Sequence, residues 1–151
     1  MIIKKKFLLI IFFALASCGY QSIYAKKDNS VFFIKEINLN GNKEINRTIT
    51  EQLPKQTNNL GKTPYNVELT SNKLNNIIAR DSLGNPSIYS VTIDVKVVLK
   101  NGKIIIKERN FNKDFSYNAM DNKFDQLKYQ KNIEKSLTNK ISEEIFIFLY
   151  Y

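Results

Sequence analysis

The sequence predicts an α+β domain, two helices packed on one face of a four-stranded mixed sheet, with its elements in the order β-α-β-β-β-α. Three features predict it. Tyr89, Val91, Ile93, Val95, Val97 and Leu99 alternate with mostly polar neighbours, and Asn101-Gly102 follows, a strong hairpin signal. Ile133, Leu137, Ile141, Ile145 and Leu149 recur every fourth residue, which lines one face of a long helix. A shorter stripe, Ile45, Ile49 and Leu53, separates two β-rich segments and so makes a β-α-β unit. Such a crossover is parallel and right-handed, and two helices on one sheet face is the simplest way to bury both stripes.

Val31 to Leu39 (VFFIKEINL) is rich in Val, Ile and Phe and reads as the first strand. Its apolar residues do not alternate cleanly, as expected when both faces are partly covered. Asn40-Gly41-Asn42 breaks it, and Asn42 is placed to cap the first helix. Pro54 ends that helix, and Lys55 to Pro64 reads as a polar loop. Tyr65, Val67 and Leu69 mark a half-buried strand that Ser71 to Asn76 weakens. Extended character resumes at Ile77 to Arg80, with Ile77 and Ala79 inward and Ile78 and Arg80 outward if parity survives. Gly84-Asn85-Pro86 is a turn cluster.

The returning strand runs from Lys103 to Phe115. A turn centred on Asn101-Gly102 pairs Leu99 with Ile104 and Val97 with Ile106 on the core face. The same register sets Glu108 and Asn110 opposite Val95 and Ile93, where buried polar groups are costly. A β-bulge near Lys107–Asn110 is therefore expected, turning Phe111 and Phe115 inward. Asn118 or Asp121 is expected to cap the final helix. Tyr129 and Phe148 widen its apolar stripe, and Lys128, Lys131, Glu134, Lys135 and Glu143 form its solvent face. In the apolar C-terminus, Ile145 and Phe148 are assigned to the core.

The N-terminus reads as an address. Met1 to Lys6 is basic, and Phe7 to Ala16 is an unbroken run of ten apolar residues, too short for a membrane span. It ends in Leu15-Ala16-Ser17-Cys18, which resembles the bacterial lipobox, cleaved before the cysteine. Cys18, the only cysteine, would carry acyl chains through its nucleophilic thiol. Several chains at roughly 0.8 kcal/mol per methylene anchor a protein without a spanning helix. Residues 1–17 are thus a lipoprotein signal peptide, 18–30 a lipidated tether and 31–151 a single domain. Gly19, where Asp would retain an enterobacterial lipoprotein at the inner membrane, favours the outer membrane.

Composition excludes several chemistries. Among the 151 residues there is no histidine, hence no histidine base, triad or metal ligand. One cysteine excludes a disulfide framework. The acids are scattered, and Glu143-Glu144 reads as solvated surface. No glycine-rich phosphate loop is present. No cofactor is implied and no enzyme is expected. The net charge of +9 falls to +6 once Lys4, Lys5 and Lys6 are removed. An exported lipoprotein rarely meets nucleic acid, so anionic lipid headgroups or phosphorylated glycolipid are the better partners. Arg80 is the leading candidate contact: it sits at an outward strand end beside Ile78, a mixture suited to an amphiphile that carries phosphate. A pair with Asp81 is its ordinary alternative. Arg109 could instead pair across strands with Asp94.

These residues resemble a known family. Cys18 followed by Gly19-Tyr20-Gln21-Ser22-Ile23-Tyr24 resembles the opening of the lipopolysaccharide-assembly lipoprotein LptE, in particular its alphaproteobacterial forms. The likeness continues through the Ile45–Leu53 helix and Tyr65-Asn66-Val67-Glu68-Leu69. It takes in Arg80, the turn to Pro86 and Ser90 to Val95, then Phe115-Ser116-Tyr117-Asn118 and Phe124-Asp125 before the last helix. The resemblance implies a plug in the LptD-type outer-membrane β-barrel of the lipopolysaccharide translocon, which aids barrel assembly and binds lipopolysaccharide. It implies lipopolysaccharide contact for Arg80 and, before the last helix, for Lys123, where the segment length differs. Asp81 stands where the family has Asn, and Asp125 where small residues are common. The competing expectations are a free outer-membrane lipoprotein that serves another envelope partner, and an anchored enzyme.

Overall fold

The computed structural model describes residues 32–53 and 60–151. Cys18, the signal segment, the tether and part of the polar loop lie outside the described residues. The elements are β1 (Phe32–Gly41), α1 (Lys43–Gln52), β2 (Thr63–Arg80), β3 (Pro86–Asn101), β4 (Ile104–Asn118) and α2 (Lys123–Tyr150). The sheet order is β1-β2-β3-β4, with β1 parallel to β2 and the other pairs antiparallel. This is the α+β architecture expected from the sequence.

The core lies between the sheet and the two helices. Val67, Leu69, Val91, Ile93 and Val97 from the sheet are fully buried, as are Ile49, Ile141, Ile145 and Leu149 from the helices. Asn42 caps α1, its side-chain oxygen accepting from the N–H groups of Glu44 and Ile45, both at 3.1 Å. Asn122 caps α2 in the same way, accepting from Phe124 and Asp125, so neither Asn118 nor Asp121 is the cap. Asn118 is instead the last residue of β4. Leu149, as well as Ile145 and Phe148, packs into the core.

Four sequence expectations are corrected by the strand pairing. In β1 the pairing slips between Ile34 and Glu36, so Lys35 is an extra residue. That bulge, rather than burial of both faces, is why Phe32 and Ile34 share the core side with Ile37. β2 runs unbroken through Ser71 to Asn76, because β3 pairs with it along this stretch and Ser71, Lys73 and Asn75 hydrogen-bond to Asn46 and Glu134. The β3–β4 turn is centred on Gly102-Lys103, not Asn101-Gly102, since Asn101 pairs with Ile104. The expected bulge is present, but at Ile106: Lys100 pairs with Ile105 and Leu99 with Lys107.

The bulge has the foreseen effect further along. Phe111 and Phe115 come opposite Val95 and Val91, on the helix side. Phe111 is buried, whereas Phe115 stays 44% exposed because it lies beside α2 rather than under it. Ile104 and Ile106 are not in the core. Their places near Leu99 and Val97 are taken by Lys107 and Arg109. The Lys107 ammonium donates to the carbonyls of Phe148 and Leu149 at the end of α2, satisfying groups that a helix terminus leaves free. Burial there, with the charge of Arg109 nearby, lowers the Lys107 pKa. The Arg109 guanidinium lies 5.1 Å from the Phe148 ring centre, while Asp94 bonds Asn112, so the cross-strand Arg109–Asp94 pair does not form.

Where β1 hands over to α1, polar groups make the joint. The Ser71 hydroxyl accepts from the Asn42 N–H at 3.1 Å and donates to the Asn46 amide oxygen at 2.6 Å. Asn46, itself 4% exposed, donates to the Asn40 carbonyl at 3.0 Å. A buried asparagine is tolerated here because its amide bonds on both sides.

Candidate amphiphile-binding end of the sheet

The two ends of the sheet differ. One holds Arg80, Pro86, Asn118 and the start of α2; the other holds Phe32, Thr63, the β3–β4 turn and the end of α2. Arg80 and Lys123 therefore share an end. The link runs through the backbone: Arg80 pairs with Pro86, and the Ala119 N–H donates to the Ser87 carbonyl at 2.9 Å, four residues before Lys123.

The β2–β3 turn consumes its own carboxylate. Asp81 accepts from the N–H groups of Asn85 at 2.8 Å and Leu83 at 2.9 Å, and from the Asn85 side chain at 3.2 Å. These donors, the Asn85 backbone first, hold its carboxyl below the ordinary value. Asp81 is thus turned into the loop, and Arg80 forms no ion pair among the described residues. The Arg80 guanidinium donates once, to the Gly84 carbonyl at 2.8 Å, which leaves most of its five N–H donors facing water. Its neighbours are aliphatic and exposed: Ile77, Ile78 and Leu83. Ile77, on the inward parity of the strand, is 44% exposed because the helices do not cover this end, and the β2–β3 register slips twice here, at Ile78 and again between Ala79 and Arg80.

Lys123 is the first residue of α2 and is exposed. A lysine in the first helical turn is opposed by the helix dipole, and Asp125 beside it offsets that. Exposed Phe124, Leu127 and Met120 surround this start. The end thus combines two cations with bulky apolar side chains. That pairing can hold a phosphate next to an alkyl chain. Among the described residues, no group of three or more His, Cys, Asp or Glu side chains could hold a metal. No described helix is long and apolar enough to cross a membrane.

One feature of the helix-covered face went unread in the sequence. Helical spacing alone places Glu134 on the solvent face, yet its side chain is only 12% exposed. Its carboxylate accepts from Lys73 at 2.8 Å and from Gln130 at 2.9 Å, and Gln130 accepts from the Tyr117 hydroxyl at 3.2 Å. Helical spacing set Glu134 next to Ile133 at the edge of the apolar stripe, and only β2's length brings Lys73 beneath it. Burial pushes the Glu134 pKa up, but hydrogen bonds from Gln130, Lys73 and Asn75 and the Lys73 charge outweigh it, and the carboxyl lies below its ordinary value. Its contribution to stability is complete above the ordinary value of 4.5 and is lost as pH falls through the folded value. Glu134→Gln is therefore expected to flatten the fall in melting temperature between neutral and acid pH, read by circular dichroism. An unchanged acid limb would assign that loss to other carboxylates.

No protein-family model matches the chain, and no curated protein matches it. Solved structures do. Rare lipoprotein B from Shewanella oneidensis is similar at 14% identity and a TM-score of 0.60, covering 76% of this chain and 92% of that one. Lipoprotein B from Nitrosomonas europaea is similar at 11% identity and a TM-score of 0.53, covering 83% and 89%. A minor lipoprotein from Acinetobacter baumannii is similar at 11% identity and a TM-score of 0.52, covering 76% and 90%. At these identities the likeness is one of fold: the chain has the α+β fold found in these bacterial lipoproteins.

Proposed function

We propose that this chain is a lipid-anchored outer-membrane lipoprotein, held through Cys18, that plugs an LptD-type β-barrel and binds lipopolysaccharide. The observation that carries the ligand part is the Arg80 end: an exposed guanidinium with no carboxylate partner among the described residues, set among exposed aliphatic side chains. A phosphorylated glycolipid offers the matching pair, an anion for the fork of donors and acyl chains for the aliphatics. Lys123 shares that end and supplies a second, single-point cation.

The helix-free face of the sheet supports the plug part. It carries Thr70, Asn72, Thr92, Asp94, Asn110, Asn112 and Asp114, with charged pairs Lys100–Glu68 at 2.6 Å and Lys96–Glu108 at 3.1 Å. Such a face suits a polar, wet barrel lumen rather than lipid. β2 spans 18 residues, about 60 Å at roughly 3.3 Å each, more than twice the apolar band of about 25 Å that a barrel presents to the membrane. A plug of this length projects beyond the band. The fold likeness to bacterial lipoproteins supports an envelope location.

Two measurements test the proposal. A detergent pull-down of the lipidated protein, followed by mass spectrometry, is expected to recover a stoichiometric outer-membrane β-barrel; recovery of the lipoprotein alone would refute the plug. Arg80→Ala is expected to weaken lipopolysaccharide binding about tenfold, the loss of roughly 1.5 kcal/mol from a charge-assisted contact. The melting temperature should hardly move, since the side chain makes one exposed bond. Unchanged affinity in a direct titration would exclude Arg80 from the site.

A further inference from the structure

We infer that the β3–β4 hairpin tip, at the end of the sheet opposite Arg80, is a membrane-docking element that lies in the headgroup region of an anionic leaflet. The inference rests on the lipid-anchored reading above and not on the plug: it concerns the anchored chain outside a barrel, to which it adds a second, non-covalent contact.

The first observation is the exposure of three consecutive isoleucines. Ile104, Ile105 and Ile106 are 68%, 55% and 46% exposed, although sequence pairing would bury the first and third. The turn at Gly102-Lys103 and the bulge at Ile106 put them outside the core. A run of three exposed β-branched aliphatics at a hairpin tip costs solubility and invites association unless something apolar receives it.

The second observation is the charge around them. Lys103 stands at the tip and Lys100 and Lys107 flank the run, with Arg109 one step further along β4. The carboxylates that follow in register, Glu68 and Glu108, are bonded to Lys100 and Lys96. Lys103 forms no ion pair among the described residues. Lys100 is engaged by Glu68 and Lys107 by the α2 carbonyls, so Lys103, at the tip beside the isoleucines, is the lysine placed to meet anionic headgroups above the alkyl chains.

The third observation is where the anchor segment joins. The described chain starts at Phe32, at this same end: Phe32 pairs with Thr63 and its ring stacks 5.5 Å from that of Tyr150, next to the α2 terminus that Lys107 caps. Thirteen residues separate Cys18 from Phe32. Even fully extended they reach about 45 Å, so the anchor keeps this end within that distance of the leaflet, a bound that does not apply to the Arg80 end.

The chain contains no tryptophan, so one introduced residue reports cleanly. The lipidated protein would be reconstituted in phosphatidylethanolamine–phosphatidylglycerol vesicles carrying Ile105→Trp or, at the opposite tip, Leu83→Trp; Leu83 is 85% exposed. The expected result is a blue shift and quenching by brominated acyl chains at position 105 only. Both should be lost in vesicles without anionic lipid, and reduced at 1 M salt, where screening acts within about 3 Å. Ile104→Trp should behave like Ile105→Trp, which guards against a single misfolded variant. Vesicle flotation with equal or absent quenching at the two ends would overturn the docking inference and leave the anchor standing. A shift at 105 that needs a co-purified barrel and shows no lipid quenching would overturn it in favour of a protein contact. Failure to float, with no acyl mass on Cys18, would overturn the anchored reading and this inference with it.

Discussion

Gly41→Ala is expected to destabilise the domain by about 3 kcal/mol or more, from strain at a forbidden backbone angle plus overpacking. Gly41 ends β1 with φ +89°, a region that L side chains rarely adopt. A Cβ built there would lie inside the Ser71 carbonyl of β2, a backbone atom. That carbonyl cannot give way cheaply, because it accepts the Asn42 N–H at 3.1 Å and Ser71 also holds Asn42 and Asn46 through its hydroxyl. The substitution therefore attacks the point where β1, α1 and β2 meet. Urea unfolding of the purified domain should show a lower midpoint with an unchanged slope. A variant as stable as the parent would mean that the joint can open without cost to the rest. Gly84→Ala makes a useful comparison: its φ is +84° but its Cβ would meet nothing within 4 Å, so only the strain remains.

Ile141→Ala is expected to cost about 3–4 kcal/mol, within the range seen for truncating a fully buried aliphatic side chain. Ile141 is the middle residue of the α2 stripe and has no exposed surface. Ile145 and Leu149 toward one end, and Leu137 and Ile133 toward the other, are held in the same cluster with Ile49 of α1 and the β3 valines. Collapse around the lost methyl groups would have to move either a helix or a paired strand, so the cavity should largely persist. Ile147→Ala, six residues further along and on the exposed side of the same helix, should change stability by less than about 0.5 kcal/mol. Equal effects at the two positions would show that α2 is not seated as described.

The sequence by itself determined the element order, the pairing partners and most of the core. Alternation in β3 and the four-residue repeat in α2 are properties of period alone, so Val91, Ile93, Val95, Val97, Ile141 and Ile145 were legible without coordinates. The cap at Asn42 was legible too, because side-chain chemistry and position coincide. The need for a parity change in β4 was legible from the cost of burying Glu108 and Asn110. Its place was not: a bulge can sit at any residue that lets Lys107 reach the α2 carbonyls, and only packing chooses Ile106. Likewise Lys35 in β1 carries no local mark of a bulge.

The candidate site divides in the same way. Arg80 stands out in the sequence as an arginine at an outward strand end beside Ile78, but its freedom from Asp81 is set by the turn, whose backbone donors capture that carboxylate. That Arg80 and Lys123 share an end, 43 positions apart in sequence, follows from antiparallel pairing of β2, β3 and β4. Glu134 and Lys73, 61 residues apart, meet for the same reason. Periodicity records which face of an element is apolar; it holds no record of what lies across from the edge of that face. The ion pair under α2, the cation at one tip and the bare isoleucines at the other were therefore decided by tertiary structure, where strand length, register and helix coverage determine which side chains meet and which stay in water.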